Sequence, residues 1–140
     1  MASNPPRRVA VVVLAPARKE LVALPARFHG QVQRTIDRLI AELRAGRRPQ
    51  DMRKLRGLPD THRIDSGEYR ILFALEAGEV VVLETDGAED ELTVAQAAEQ
   101  LGTPPSDVRQ RIQRRRLTSE PGQIVTIFRV RHRREVYRNL

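Results

Sequence analysis

Hydrophobic positions recur along this chain with two periods. Between Tyr69 and Leu75 they alternate. Tyr69, Ile71, Phe73 and Leu75 point to one side and Arg70, Leu72 and Ala74 to the other, which predicts a strand over 69–75 with one face in a core. Just upstream, Arg63 and Asp65 flank Ile64 in the same way, predicting a strand over 61–65, and Ser66-Gly67 has the chemistry of a tight hairpin turn. The two strands then carry Arg63 and Arg70 outward, close together on an open face. Gly57 and Pro59 break the chain before them, which puts Lys54 and Arg56 on a connection beside that face. The continuous run from Val9 to Leu14 predicts a first strand buried on both sides. Helical spacing follows it. Pro16 suits the first position of a short helix carrying Ala17, Leu21 and Leu24 until Pro25 stops it. A clearer helix over 26–45 lines up Phe28, Val32, Ile36, Leu39, Ile40 and Leu43, with Gly46 just past its end. The pattern predicts an αα-hairpin covering a sheet. After Leu75, a turn at Ala77-Gly78 leads into another strand over 80–83, and 123–130 reads as the last strand.

Between Asp86 and Gly122 the pattern changes. Thr93 and Gln96 stand at capping-box spacing, Val94, Ala97, Ala98 and Leu101 form a short apolar stripe, and Gly102 ends the helix. Thr103 and Pro104 then start a second helix, with Val108 and Ile112 inward and Arg109, Gln110, Gln113 and Arg114 outward. Two short helices on a tight turn have helix-turn-helix geometry. The organisation expected is a mixed α/β (α+β) domain of residues 1–85 plus 122–140, carrying an inserted helix-turn-helix at 86–121. The run GEVVVLE at 78–84 is echoed by GQIVTIF at 122–128.

Composition narrows the partners. The chain has 140 residues, 40% hydrophobic and 31% charged, which fits one folded domain. Its formal charge is +7, carried by 25 Lys and Arg, nearly all arginine. Guanidinium groups hold phosphate with a two-pronged fork, so nucleic acid is the favoured partner. The insert holds seven carboxylates against five arginines, which concentrates the positive charge on the rest. Cysteine is absent, so disulfides and thiolate chemistry are excluded, and a reducing cytoplasm is the expected location. No run is long enough to span a bilayer, so no membrane partner is expected. The three histidines lack ligand-like spacing with carboxylates, and neither metal nor other cofactor is expected. His29 reads as a surface residue and His62 is left open.

The stretch KLRGLPDTHRIDSGEYRILFAL, with the ending FRVRHRREVYR, resembles the RelE/ParE superfamily of bacterial toxins, and the RelE branch more than the gyrase-directed one. The resemblance covers 9–83 and 124–137. It implies a two-helix hairpin on a twisted, mostly antiparallel sheet, an mRNA endonuclease working in the ribosomal A site, and a cognate antitoxin that wraps the toxin. Position by position it implies that Arg63 and Arg70 hold the scissile phosphate, that Arg133 and Tyr137 belong to the catalytic set, and that His132 stands where relatives carry a histidine proposed for proton transfer. Lys54, Arg56 and Arg131 become RNA contacts. One position departs: Asp65 stands where a lysine is expected, and its carboxylate is free to pair with Arg63. Metal-free cleavage needs the 2′-hydroxyl deprotonated, the phosphorane-like transition state stabilised and the 5′-oxygen protonated. The arginines suit the middle task. Tyr137 suits the base only if arginines lower its pKa from about 10, whereas an imidazole at about 6.5 needs no shift.

The insert, LTVAQAAEQLGTPPSDVRQRIQRRRL, resembles the helix-turn-helix of excisionases and MerR-type regulators. It departs at Arg111, where an aromatic is common, and at Arg115, where a glycine starts the wing. A recognition helix would offer Ser106, Arg109, Gln110, Gln113 and Arg114 to operator DNA, making 93–117 the DNA-binding stretch. The competing reading of the insert is an elaboration that docks a partner or shields the basic face. A helix pair this small must lean on the sheet or on a second copy.

Overall fold

The computed structural model describes residues 7–134. The elements follow in the order β1 (Arg8–Val13), α1 (Ala15–Ala23), α2 (Ala26–Arg44), β2 (Arg53–Lys54), β3 (Thr61–Ser66), β4 (Tyr69–Thr85), β5 (Ala88–Leu92), α3 (Val94–Leu101), α4 (Pro105–Gln113) and β6 (Thr118–His132). The six strands form one sheet in the order β1-β6-β4-β3-β2, with β5 pairing farther along β4. Every pairing is antiparallel except β1 with β6. This is a mixed α+β architecture.

The amphipathic stripe of α2 does the work its spacing predicts. Val32, Ile36, Leu39, Ile40 and Leu43 are buried against Val9, Ile64, Ile71, Phe73, Val125, Ile127 and Val130 of the sheet. Each such side chain contributes about 1.5–3 kcal/mol by leaving water. Ser66 ties the hairpin to α2, its hydroxyl donating to the Gln31 carbonyl and accepting from Thr35.

Several boundaries differ from the sequence reading. The tight turn is Gly67-Glu68, one residue later than expected, with Gly67 alone left-handed at φ 61°. That is the II′ pattern, whose twist matches the flanking strands. β1 is the outermost strand, and only Val9 and Ala10 are fully buried in it, so it is not enclosed on both sides along its length. No turn occurs at Ala77-Gly78. β4 runs straight through to Thr85 because Gly78 pairs with Gly122 and the ladder with β6 continues as far as Val82 and Thr118. The chain reverses instead at Asp86-Gly87, both left-handed, and the acidic run after it is the strand β5.

The helix pair therefore sits on a continuation of the same sheet. Val81, Leu83, Ala97, Ala98 and Val108 form a second buried cluster, with Leu92, Val94, Ile112 and Leu117 at its rim. β4 itself is continuous, the one bulge lying on β6, so Val81 and Leu83 lie on the same face as Ile71 and Phe73. Both helix layers cover one face of β4. The Thr93–Gln96 capping box forms, and the Gln96 amide nitrogen also donates to the Val11 carbonyl on β1 at 2.7 Å. Thr103 does not cap α4. Pro104 is the N-cap and Pro105 opens the helix, since a proline at the first position loses no hydrogen bond. Leu101 points outward, 36% exposed.

Arg8 fastens the two parts together. Its guanidinium reaches Glu120 at 2.6 Å, Glu89 at 2.8 Å and Glu91 at 3.4 Å, while Arg44 of α2 meets Glu91 at 2.6 Å. The hydrogen bond to Glu120 is the largest cause holding Arg8 protonated above its ordinary range.

Candidate nucleic-acid interface

The register of the sheet places the candidate residues on the face opposite α2. One row across the strands reads Asp65, Arg70, Arg131; the next reads Arg53, Arg63, Leu72, Arg129. Directly paired residues share a face, as do rows two residues apart. Arg53, Arg63, Arg70, Arg129 and Arg131 thus form one cationic surface, and the sheet brings Arg63, Arg70 and Arg131 together.

Arg70 lies against Arg131, and Arg53 against Arg63, which sets like charges directly opposite one another. Like charges directly opposite on neighbouring strands are destabilising. Two carboxylates offset part of this. Asp65 meets the Arg70 Nε at 3.3 Å, so its partner is Arg70 and not Arg63. Glu20 of α1 bridges Arg131 at 3.2 Å and Arg129 at 3.5 Å, and accepts the Val130 backbone N–H where β1 has ended. Arg63 has no carboxylate within ion-pair reach among the described residues. Arg70 is 6% exposed, while the Asp65 side chain is 52% exposed. The rigid cation lies at the floor and its counter-ion at the mouth.

The other expected residues are dispersed. Lys54 pairs across from His62 at the end of β2, and Arg56 lies on the exposed loop that follows. His132 pairs with Tyr69, on the α2 side of the sheet, where the two rings meet edge to face at 5.5 Å. The structure does not bring it to the arginine face. Arg133 is exposed, and its backbone N–H donates to the Glu68 carbonyl beside the hairpin turn. Tyr137 lies outside the described residues. His62 is buried, stacked on Phe73; burial first, and the cations Arg48 and Lys54 next, lower its pKa, leaving a neutral ring. His29 is exposed, its Nε2 2.6 Å from the Leu24 carbonyl.

Arg53, Arg129 and Glu20 are additions to the set read from sequence. Arg129 was within reach of the alternation, since Arg129 and Arg131 flank Val130 as Arg63 and Asp65 flank Ile64. The bulge opposite Leu72 and Phe73 hides that period, because Phe128 is passed over in the ladder. Glu20 carries no such signal; only the docking of α1 reveals it.

On the helix pair, Ser106, Arg109, Gln110, Gln113 and Arg114 are all exposed along α4 and its end. Most charges of this region are segregated, with Asp107 on α4 and Glu99 on α3 as exceptions. Glu89, Glu91 and Glu120 face Arg8 and Arg44, while all five arginines of the region lie on α4 or just after it. Arg115, where a glycine is expected, does adopt the left-handed conformation that a glycine favours, at φ 58°. Replacing it with glycine should relieve about 1 kcal/mol of backbone strain, partly offset by unfolded-chain entropy. A higher melting temperature for Arg115→Gly is expected; a lower one would show that the guanidinium itself holds the turn.

The fold and this face define an α+β protein with a cationic sheet surface. No protein-family profile, curated protein or solved structure matches the chain. Among the described residues, no helix is long and apolar enough to cross a membrane, and no group of acidic or histidine side chains has the arrangement of a metal site.

Proposed function

We propose that this protein is the toxin of a toxin–antitoxin pair, a RelE-like endoribonuclease that cuts mRNA on the ribosome without a metal. The observation that carries the reading is the like-charged pairing of Arg70 with Arg131 and Arg53 with Arg63 on one sheet face. A polyanion laid along these rows would meet several guanidinium groups already set side by side by the sheet. In the reaction, the 2′-oxygen attacks phosphorus, the bond to the 5′-oxygen breaks, and the added charge falls on phosphate oxygens beside Arg63, Arg70 and Arg131. Proton transfer belongs to His132 or to Tyr137, and with His132 across the sheet, Tyr137 is the better candidate. The antitoxin would cover the face with an acidic segment and so keep it silent in the cytoplasm. The test is cleavage of mRNA on programmed ribosomes, mapped by primer extension. Intact message beside active ribosomes, at protein concentrations that arrest growth, would reject the ribonuclease.

A second reading rests on a separate observation, the exposed cations of α4. We infer that α4 contacts operator DNA, the toxin helping to repress its own genes together with the antitoxin. One helix neutralises few phosphates, so binding by a single copy is weak and falls steeply with salt. In a gel shift on upstream DNA, Arg109→Ala with Arg114→Ala should weaken the complex by an order of magnitude or more. Equal binding by both forms would assign the affinity to the general basic surface.

A further inference from the structure

Four large hydrophobic side chains are markedly exposed in the described residues: Leu14, Val22, Leu58 and Leu101. Of these, Leu58 lies on the connection that feeds the arginine face. It lines an open hollow of about 470 Å³ together with Lys54, Leu55, Arg56, Gly57 and Pro59, all exposed except the half-buried Leu55. Leucine, proline and the aliphatic stems of lysine and arginine make its wall apolar, with cationic ends at the rim.

The loop is built, not slack. The Leu55 N–H donates to the Thr61 carbonyl at 2.9 Å, the Thr61 hydroxyl to the Pro59 carbonyl at 3.0 Å, and the Leu75 N–H to the Asp60 carbonyl at 2.9 Å. These bonds pin both ends to β3 and β4. Gly57 and Asp60 take left-handed backbone conformations, at φ 76° and 56°, to make the reversal. The cavity starts at Lys54 on the edge strand β2, one residue along from the Arg53–Arg63 pair; Lys54 pairs with His62 and so points to the α2 side, reaching the arginine face only round the sheet edge. With a strand rise of about 3.3 Å per residue and about 4.8 Å between strands, the loop begins about 8 Å from the Arg63 backbone.

We infer that this cavity is a nucleobase subsite. Resting on the RNA reading, it would receive the base of a nucleotide adjoining the one whose phosphate meets Arg63, its ring packed on Leu58 and Pro59. Lys54 and Arg56 would hold the phosphates on either side. An apolar wall framed by cations matches a nucleotide, which is an apolar ring face on an anionic backbone. The cavity thereby gives the arginine face a preference that charge alone lacks, for strands whose bases are unstacked.

The experiment compares two short 2′-O-methyl oligonucleotides of equal length and charge, one with bases and one abasic, by fluorescence anisotropy with the full chain. The expected preference for the base-bearing strand is about tenfold, the effect of burying about 50 Å² of base against the apolar wall. Leu58→Ser should bring the ratio close to one with the salt slope unchanged, and Leu58→Met should restore it. Lys54→Ala with Arg56→Ala should weaken both strands alike and flatten the salt slope. A ratio that survives Leu58→Ser, or equal binding of the two strands by the parent protein, overturns the subsite and leaves RNA binding standing. Binding of neither strand overturns the subsite and the RNA reading together.

Discussion

Arg70→Ala should lower mRNA cleavage on ribosomes by about a hundred- to a thousandfold, the usual effect of removing one preorganised group from the developing charge of a transition state. Arg70 is the member of the face with the least freedom. It is buried, paired across the sheet with Arg131 and held at its Nε by Asp65. A cation fixed in a partly dry place needs no rearrangement when phosphate arrives, whereas an exposed arginine must be ordered first. Loss of the side chain leaves Asp65 exposed to water, so its carboxylate suffers little and the fold should persist. Circular dichroism and melting of the variant would establish that. Arg63→Ala should act in the same direction. Unaltered cleavage by folded Arg70→Ala would take the sheet face out of the chemistry.

Gly122→Ala should produce the largest loss of stability among conservative changes in the β4–β6 ribbon. A Cβ at this position would collide with the Arg8 carbonyl oxygen, and would stand 2.8 Å from Val80 Cγ2 and 2.9 Å from Arg8 Cβ. The obstacle is backbone, so β1 itself must shift, and Arg8 carries the ion pairs that hold the helix pair. Overpacking against an unyielding neighbour costs about 3 kcal/mol. For a chain of this size that is a fall of about 10 °C in Tm. Gly78→Ala is the control. There the added carbon meets the Ile124 side-chain tip at 2.5 Å, and a side-chain tip can rotate away. Its melting point should drop far less. Equal melting of the two variants would mean that β1 is not pinned as described.

Where the period was simple, the sequence was readable. The α2 stripe from Val32 to Leu43 and the alternation on either side of Gly67 follow from geometry that no later packing overrides, while Phe28, expected on the same stripe, stays half-buried beside Tyr69. The β5 strand was not read, although Asp86-Gly87 is among the strongest short hairpin signals. Its residues Ala88, Glu89, Asp90, Glu91 and Leu92 have little strand propensity and pair because Arg8 and Arg44 supply counter-charges from distant segments. Arg63 and Arg70 were legible as neighbours from alternation alone. The partner of Asp65 was not, since register decides whether it meets Arg63 or Arg70, and a turn displaced by one residue moves that register. His132 shows the limit of position-by-position transfer: one step along a strand exchanges its faces.

The Gly78–Gly122 pair also bears on how such a chain could grow and how it should be cut. Strands that already pair can lengthen at the tip of their hairpin by equal amounts, and the old register survives because nothing behind the tip has moved. A new helical unit acquired this way arrives with a hydrogen-bonded stem and needs no linker of its own. Growth of this kind would put the seam at the Gly78–Gly122 pair, where the shared ladder of β4 and β6 is still intact. Excision at the composition change would leave Val81 and Leu83 on a stub stripped of its helical cover, whereas excision at the glycines would close the hairpin on residues that already face each other.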